Sequence, residues 1–316
     1  MPAHTAKAPL KGVWVAMPTP WSSAGTADQG LVVDLMHRYA EAGLDGAYTT
    51  GTDGEMHVLE FHELQNLVEA FAKGARKTGL PVQVGCAWLH TDGVIERGRM
   101  ASGFGIDRIQ VAMPAWIPLN DDEVVRFYGA IQQALPETEL IHYNIARSGR
   151  MLTGADYKRI LHVAPNLVGS KHTGGDVGAL IEIVEATPGL AHFVVDNQIV
   201  TGALFGSPGF YSFIANLSPG FALKMMRACS AGEWEAAAAM AVTCNRFFRT
   251  WLAMCSDINS SSALAKIATR AGIFPEMPLS IKAPYTSGTD RHVDELRALV
   301  QSEFPDLAAG QIASSS

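Results

Sequence analysis

Three short stretches carry residue types suited to carbonyl chemistry. The first is Leu167-Val168-Gly169-Ser170-Lys171-His172-Thr173. Strand alternation places Leu167, Gly169 and Lys171 on one face, so if Leu167 faces a protein interior, Lys171 does too. An amine against an apolar wall is held below its ordinary pKa, which frees it to attack a carbonyl and form a Schiff base. The plainer alternative is a strand-end lysine that snorkels to solvent or pairs with Asp196. The second is His142-Tyr143-Asn144, one strand–helix unit earlier. Its phenol can pass protons to and from a substrate carbonyl or carbinolamine, or serve simply as a core aromatic with a satisfied hydroxyl. The third is Gly51-Thr52-Asp53-Gly54-Glu55, whose successive backbone N–H groups suit a carboxylate or phosphate. Thr52 adds a hydroxyl able to relay a proton to Tyr143, although such clusters also make ordinary turns.

These stretches need strands to hold them. Short apolar runs rich in Val, Ile, Tyr and Phe recur at 12–18, 46–50, 81–87, 108–113, 139–144, 167–173, 191–196 and 209–215. Amphipathic helical stretches lie between them: 58–77, 121–134, 154–163 and 175–185 repeat apolar residues at three- and four-residue spacing. Strand–helix units in this number, parallel by their crossovers, predict an α/β fold of the closed (β/α)₈ (TIM) barrel type. An open doubly wound sheet is less favoured, because no GxGxxG follows the first strand. The strand pattern stops after Ala215, so residues 1–217 are expected to form the catalytic barrel and 218–316 a C-terminal helical extension of the same domain. Active sites of such barrels lie at the C-terminal strand ends, where Thr52, Tyr143 and Lys171 all fall.

Composition narrows the function. The 316 residues carry 24 Lys+Arg against 31 Asp+Glu, a formal net charge of −7. That balance excludes the broad basic surface of a general nucleic-acid binder. No apolar run approaches the ~18 residues of a transmembrane helix. The opening residues lack the apolar core of a signal peptide. Cys86, Cys229, Cys244 and Cys255 show no metal-type spacing, so a cytoplasmic protein with reduced thiols is expected. His57, Glu60 and His62 make an HxxExH pattern that matches no strong metal signature. Neither a metal nor a cofactor is expected.

In order and on the expected strands, the three stretches resemble motifs of the dihydrodipicolinate synthase / N-acetylneuraminate lyase family of Schiff-base barrels. Gly51–Glu55 is similar to the family's GTTGE-type loop, His142-Tyr143-Asn144 to its YN motif, and Gly169-Ser170-Lys171 to its G-x-K motif. Residues 209–216, with Tyr211, are similar to the strand-eight segment beside the site. The resemblance implies that Lys171 forms a Schiff base with a 2-oxo acid, typically pyruvate, with Tyr143 as acid/base and Thr52 as its relay. The backbone around Gly51, Thr52 and Asp53 would hold the substrate carboxylate. It also implies a homotetramer or homodimer.

Three departures stand out. Asp53 replaces the second threonine of the loop, and its charge is expected to turn away from the carboxylate or meet another substrate group. Trp116 lies where the synthases carry a relay tyrosine, and indole only donates. The segment through Arg147 is about one residue short, so Arg147 is either a binder of a distal carboxylate or an exposed arginine. Pro114-x-Trp116-x-Pro118-Leu119 resembles the hydratase-aldolase branch, in which Trp116 would stack on an aromatic substrate. Aldol cleavage releasing pyruvate and an aldehyde is therefore the leading expectation. Dehydration of a 2-keto-3-deoxy sugar acid, synthase-type condensation and a catalytically silent 2-oxo acid binder follow.

Overall fold

The computed structural model describes residues 9–311; most of the opening stretch and the closing serines lie outside them. The eight strands are β1 Gly12–Ala16, β2 Gly46–Thr49, β3 Val82–Gly85, β4 Arg108–Val111, β5 Glu139–Ile145, β6 Leu167–Thr173, β7 Ala191–Val195 and β8 Gly209–Ser212. They pair in parallel in chain order, and β8 closes on β1, giving the expected barrel. Buried on both faces, such strands read as nearly continuous apolar runs.

The outer ring is α1 Gln29–Glu41, α2 Phe61–Thr78, α3 Thr91–Gly103, α4 Asp121–Ala134, α5 Gly154–Val163, α6 Val177–Ala186, α7 Ile199–Leu204 and α8 Pro219–Ala231. Sequence-local chemistry fixes their starts. Asn120 and Glu123 form a reciprocal capping box before α4, as do Thr153 and Asp156 before α5. In α2 the recurring Leu64, Leu67, Val68 and Phe71 are all buried. The sequence reading assigned α8 to the C-terminal extension, but it packs against β1 and α7 as the eighth helix of the ring. The extension then runs through α9 Trp234–Met254, α10 Ser261–Ala271, α11 Asp290–Glu303 and α12 Pro305–Ala309. No described helix is long and apolar enough to cross a membrane.

The barrel interior is filled by Trp14, Ala16, Tyr48, Phe193 and Tyr211, each at most 3% exposed. Trp14 needs Gly46 opposite it, since a Cβ there would stand 2.6 Å from the indole. The larger core lies between barrel and helices. Leu167 belongs to that outer core, whereas Lys171 lines the inner cavity. The alternation inferred from sequence is broken by a register shift: Leu140 pairs with Leu167, but Ile141 pairs with Gly169. Lys171 therefore faces inward although Leu167 does not.

Candidate functional site

Tyr143 and Lys171 are direct register partners on β5 and β6. The Lys171 side chain is 4% exposed, and its Nζ lies 4.4 Å from the ring centres of both Tyr48 and Tyr143 and 5.0 Å from that of Tyr211. Nζ donates a hydrogen bond to the Tyr48 hydroxyl. Asp196, the alternative partner, instead accepts from Ser212 Oγ (2.6 Å) and the Phe213 backbone N–H (2.7 Å). Burial pushes its carboxyl up to about 6 despite these bonds. Lys171 thus sits at the strand end in a cup of phenols, with its nitrogen facing a cavity of about 400 Å³.

The loop after β2 closes one side of this cavity. Its two flanking residues, Thr50 and Glu55, hold left-handed backbone with φ of 56° and 63°, a strain that persists only where surroundings over-determine it. Thr19 Oγ1 donates to Gly54 O at 2.8 Å, and Ser262 Oγ to Thr52 O at 2.7 Å. The buried Glu55 carboxylate accepts from Trp21 Nε1 and the Lys282 backbone, and pairs with Lys266 Nζ at 2.6 Å. Lys266 is itself fully buried, and desolvation brings its pKa down to about 8 against the pull of Glu55. An ion pair this deep becomes strongly destabilising if one partner is removed. The C-terminal extension thereby fastens the loop.

Two side chains of the loop, Thr52 and Asp53, line the Lys171 cavity. Thr52 Oγ1 accepts from Arg147 at 3.1 Å. Arg147 is exposed and, like Thr52, lines both the Lys171 cavity and an adjoining chamber. Asp53, expected to turn away from the substrate carboxylate or to meet another substrate group, lines the Lys171 cavity. Desolvation raises its carboxyl pKa, opposed by the nearby charges of Lys171 and Arg147. Tyr211 also lines the cavity, its hydroxyl donating to Gln83 Oε1 at 2.6 Å. Gly51 lines the adjoining chamber. Trp116 lines neither space; it is 86% exposed in a separate groove with Ile117 and Leu89.

The adjoining chamber has a volume of about 510 Å³ and shares Thr52, Tyr143, Ile145, Arg147 and Ser261 with the Lys171 cavity. Its further walls include Met56, Ala87, Trp88, Ala112, Met113 and Tyr285. Sequence reasoning missed Tyr48, Trp88, Ser261 and Tyr285. Tyr48 alone had a visible signal: it alternates with Gly46 and is the last residue but one of the strand before the glycine-rich loop. Together the two spaces can hold a carbonyl compound at Lys171 and a second fragment beyond Tyr143.

The sequence model of the Dihydrodipicolinate synthetase family matches residues 9–303. A 4-hydroxy-tetrahydrodipicolinate synthase of Haloarcula marismortui is 26% identical over 300 residues, covering 94% of this chain and 95% of the relative. An N-acetylneuraminate lyase of Enterobacter sp. is 28% identical over 240 residues, covering 75% and 80%. Among solved structures, an E. coli K12 prophage protein of the dihydrodipicolinic acid synthase family, in complex with pyruvate, superposes with a TM-score of 0.82. It is 20% identical, with 92% of this chain and 98% of that one covered, and it bears on the fold alone. With the barrel and these matches in hand, the chain belongs to the dihydrodipicolinate synthetase family and is an enzyme of the class I, lysine Schiff-base lyases.

Proposed function

We propose that Lys171 forms a Schiff base with a 2-oxo acid such as pyruvate, and that the enzyme catalyses reversible aldol cleavage to pyruvate and an apolar or aromatic aldehyde. The observation that carries this reading is the buried Lys171 nitrogen, register-paired with Tyr143, beside a chamber walled by Trp88, Met56 and Met113. The backbone of Thr52 and Asp53 would hold the 2-oxo acid carboxylate. Nζ adds to C2, and loss of water leaves an iminium that accepts the electron pair of the C3–C4 bond. Tyr143 takes the proton from the C4 hydroxyl, so the aldehyde departs and an enamine remains. Protonation of that enamine at C3 and hydrolysis return pyruvate and the free amine.

Trp88, rather than Trp116, supplies the indole for an aromatic aldehyde in this reading. Trp116 and Ile117, 86% and 71% exposed, are then left for a second copy of the chain, which fits a homodimer or homotetramer. Four buried, free cysteines fit a reducing compartment such as the cytoplasm.

The test is borohydride reduction in the presence of pyruvate, read by intact mass and peptide mapping. A pyruvate-derived adduct on Lys171 is expected, absent in Lys171→Ala. No adduct on the unmodified chain, or one that persists in the variant, refutes the lysine assignment. A substrate screen then separates the reactions: pyruvate released from arylidene or aryl-hydroxy 2-oxo acids supports cleavage. Water lost from a keto-deoxy sugar acid with no pyruvate formed refutes it.

A further inference from the structure

We propose that Tyr48 is a second catalytic phenol, which moves the proton from the attacking Lys171 nitrogen to the substrate oxygen during Schiff-base formation. This inference rests on the Schiff-base reading of Lys171 and adds a residue to it. Tyr48 makes the hydrogen bond to the reacting atom itself: Lys171 Nζ donates to its hydroxyl, while Tyr143 faces the same nitrogen with its ring.

The position is built around that ring. Tyr48 is 2% exposed at the end of β2, opposite Ala16 on β1, and it meets Tyr211 edge-on with ring centres 4.9 Å apart. A Cβ on Gly51 would stand 2.6 Å from the Tyr48 ring, so the first glycine of the loop is the residue that leaves it room. Lys171, Tyr48, Tyr143, Tyr211, Asp53 and Asp196 all line one cavity. Burial holds the Tyr48 phenol well above its usual pKa, reinforced by Asp53, Tyr143, Tyr211 and Asp196. It therefore works as a neutral hydroxyl and not as phenolate.

A neutral hydroxyl can serve this step by exchanging protons. The Nζ lone pair forms the C–N bond, and the carbonyl π pair moves to oxygen, leaving an ammonium beside an alkoxide. Tyr48 accepts the N–H proton at its oxygen while its own O–H proton passes to the alkoxide. The product is a neutral carbinolamine, and Tyr48 ends as it began. Tyr143 remains available to protonate the hydroxyl that leaves as water. Two phenols thus divide the work, Tyr48 in forming the carbinolamine and Tyr143 in its dehydration and the later C–C step.

The test compares the rate of borohydride-trappable adduct formation with saturating pyruvate in the unmodified chain and in Tyr48→Phe, between pH 6 and 9. The variant keeps the ring and its packing. It is expected to form the same adduct on Lys171 about 100-fold more slowly, the usual scale for one acid–base group. Its rate should also rise with the concentration of a small buffer such as imidazole, while that of the unmodified chain does not. A Tyr48→Phe rate within threefold of the unmodified chain overturns the proposal. A slow rate that no buffer rescues and that keeps the original pH profile also overturns it, because that marks a packing role. Failure of the unmodified chain to form any adduct is a separate result, which removes the Schiff-base reading and this inference with it.

Discussion

Asp53 puts a carboxyl group into the cavity where the proposed reaction must seat the carboxylate of a 2-oxo acid. Its raised pKa is the electrostatic record of that placement: desolvation favours the neutral acid, while Lys171 and Arg147 favour the anion. As pH rises through this value the side chain gains a negative charge and opposes the substrate. Affinity for pyruvate should therefore fall with rising pH, through this residue alone. In Asp53→Asn the charge is gone at every pH, so the apparent pyruvate KM at alkaline pH should drop about tenfold, equivalent to one unit of pKa coupling. The KM–pH profile should flatten as well. Trapping rates across pyruvate concentrations measure both quantities. An unchanged profile would show that Asp53 never meets the substrate carboxylate and contacts some other group.

Behind β5, β6 and β7 lies a second polar layer that never touches the cavity. His142, His172 and His192 face outward from successive strands, bridged by Ser170 Oγ at 2.7 Å from both His172 and His192. Tyr128 hydrogen-bonds His142, and the Tyr157 ring packs against all three imidazoles. Burial, the leading cause at each site, brings their pKa values down to about 3, 3 and 4. The unfolded chain protonates these groups near 6.5, so below that pH unfolding takes up protons and stability falls as pH falls. Between pH 7 and pH 5 each histidine withdraws about 2 kcal/mol. Urea unfolding at the two pH values should show the loss, and His142→Asn should shrink it by one share. A gap of the same size in that variant would exclude the layer as its source.

The same strands show what can be read from sequence and what cannot. Their positions are legible because burial on both faces leaves uninterrupted apolar runs, and Lys171 and Tyr143 stand out in such runs by residue type alone. The parity break between Leu167 and Gly169 is a property of pairing with β5, absent from either strand by itself. Tyr48 is legible only in position: it stands just before the glycine-rich loop, but an aromatic in an apolar run looks like packing until its hydroxyl is seen against a lysine more than a hundred residues away. The fastening of Glu55 by Lys266 and Lys282 is equally non-local. Trp88 and Trp116 differ only in where their loops go, which no spacing encodes.

At the scale of the molecule, the exposed Trp116, Ile117 and Leu89 share one groove. An indole and two branched side chains left in water are a cost that the proposed second copy would remove. Sedimentation equilibrium should find a dimer or larger for the unmodified chain, and Trp116→Glu should shift it toward monomer by placing a charge in the contact. A monomeric unmodified chain at micromolar concentration would refute the shared-surface reading of Trp116.

Trp14 fills the barrel interior two residues before Ala16, which lines the Lys171 cavity, with Phe193 meeting it edge-on at 6.5 Å and Tyr211 tilted at the same distance. Lys171 and the Trp88 chamber thus stand on the same side of that aromatic layer, joined along Thr52, Tyr143 and Arg147. In the proposed reaction the pyruvate half is held covalently by Lys171, whereas a fragment in the Trp88 chamber is held by contacts alone once the C–C bond breaks. For the proposed reaction this dictates an itinerary: aldehyde out first and pyruvate last, or pyruvate in first when the bond is made.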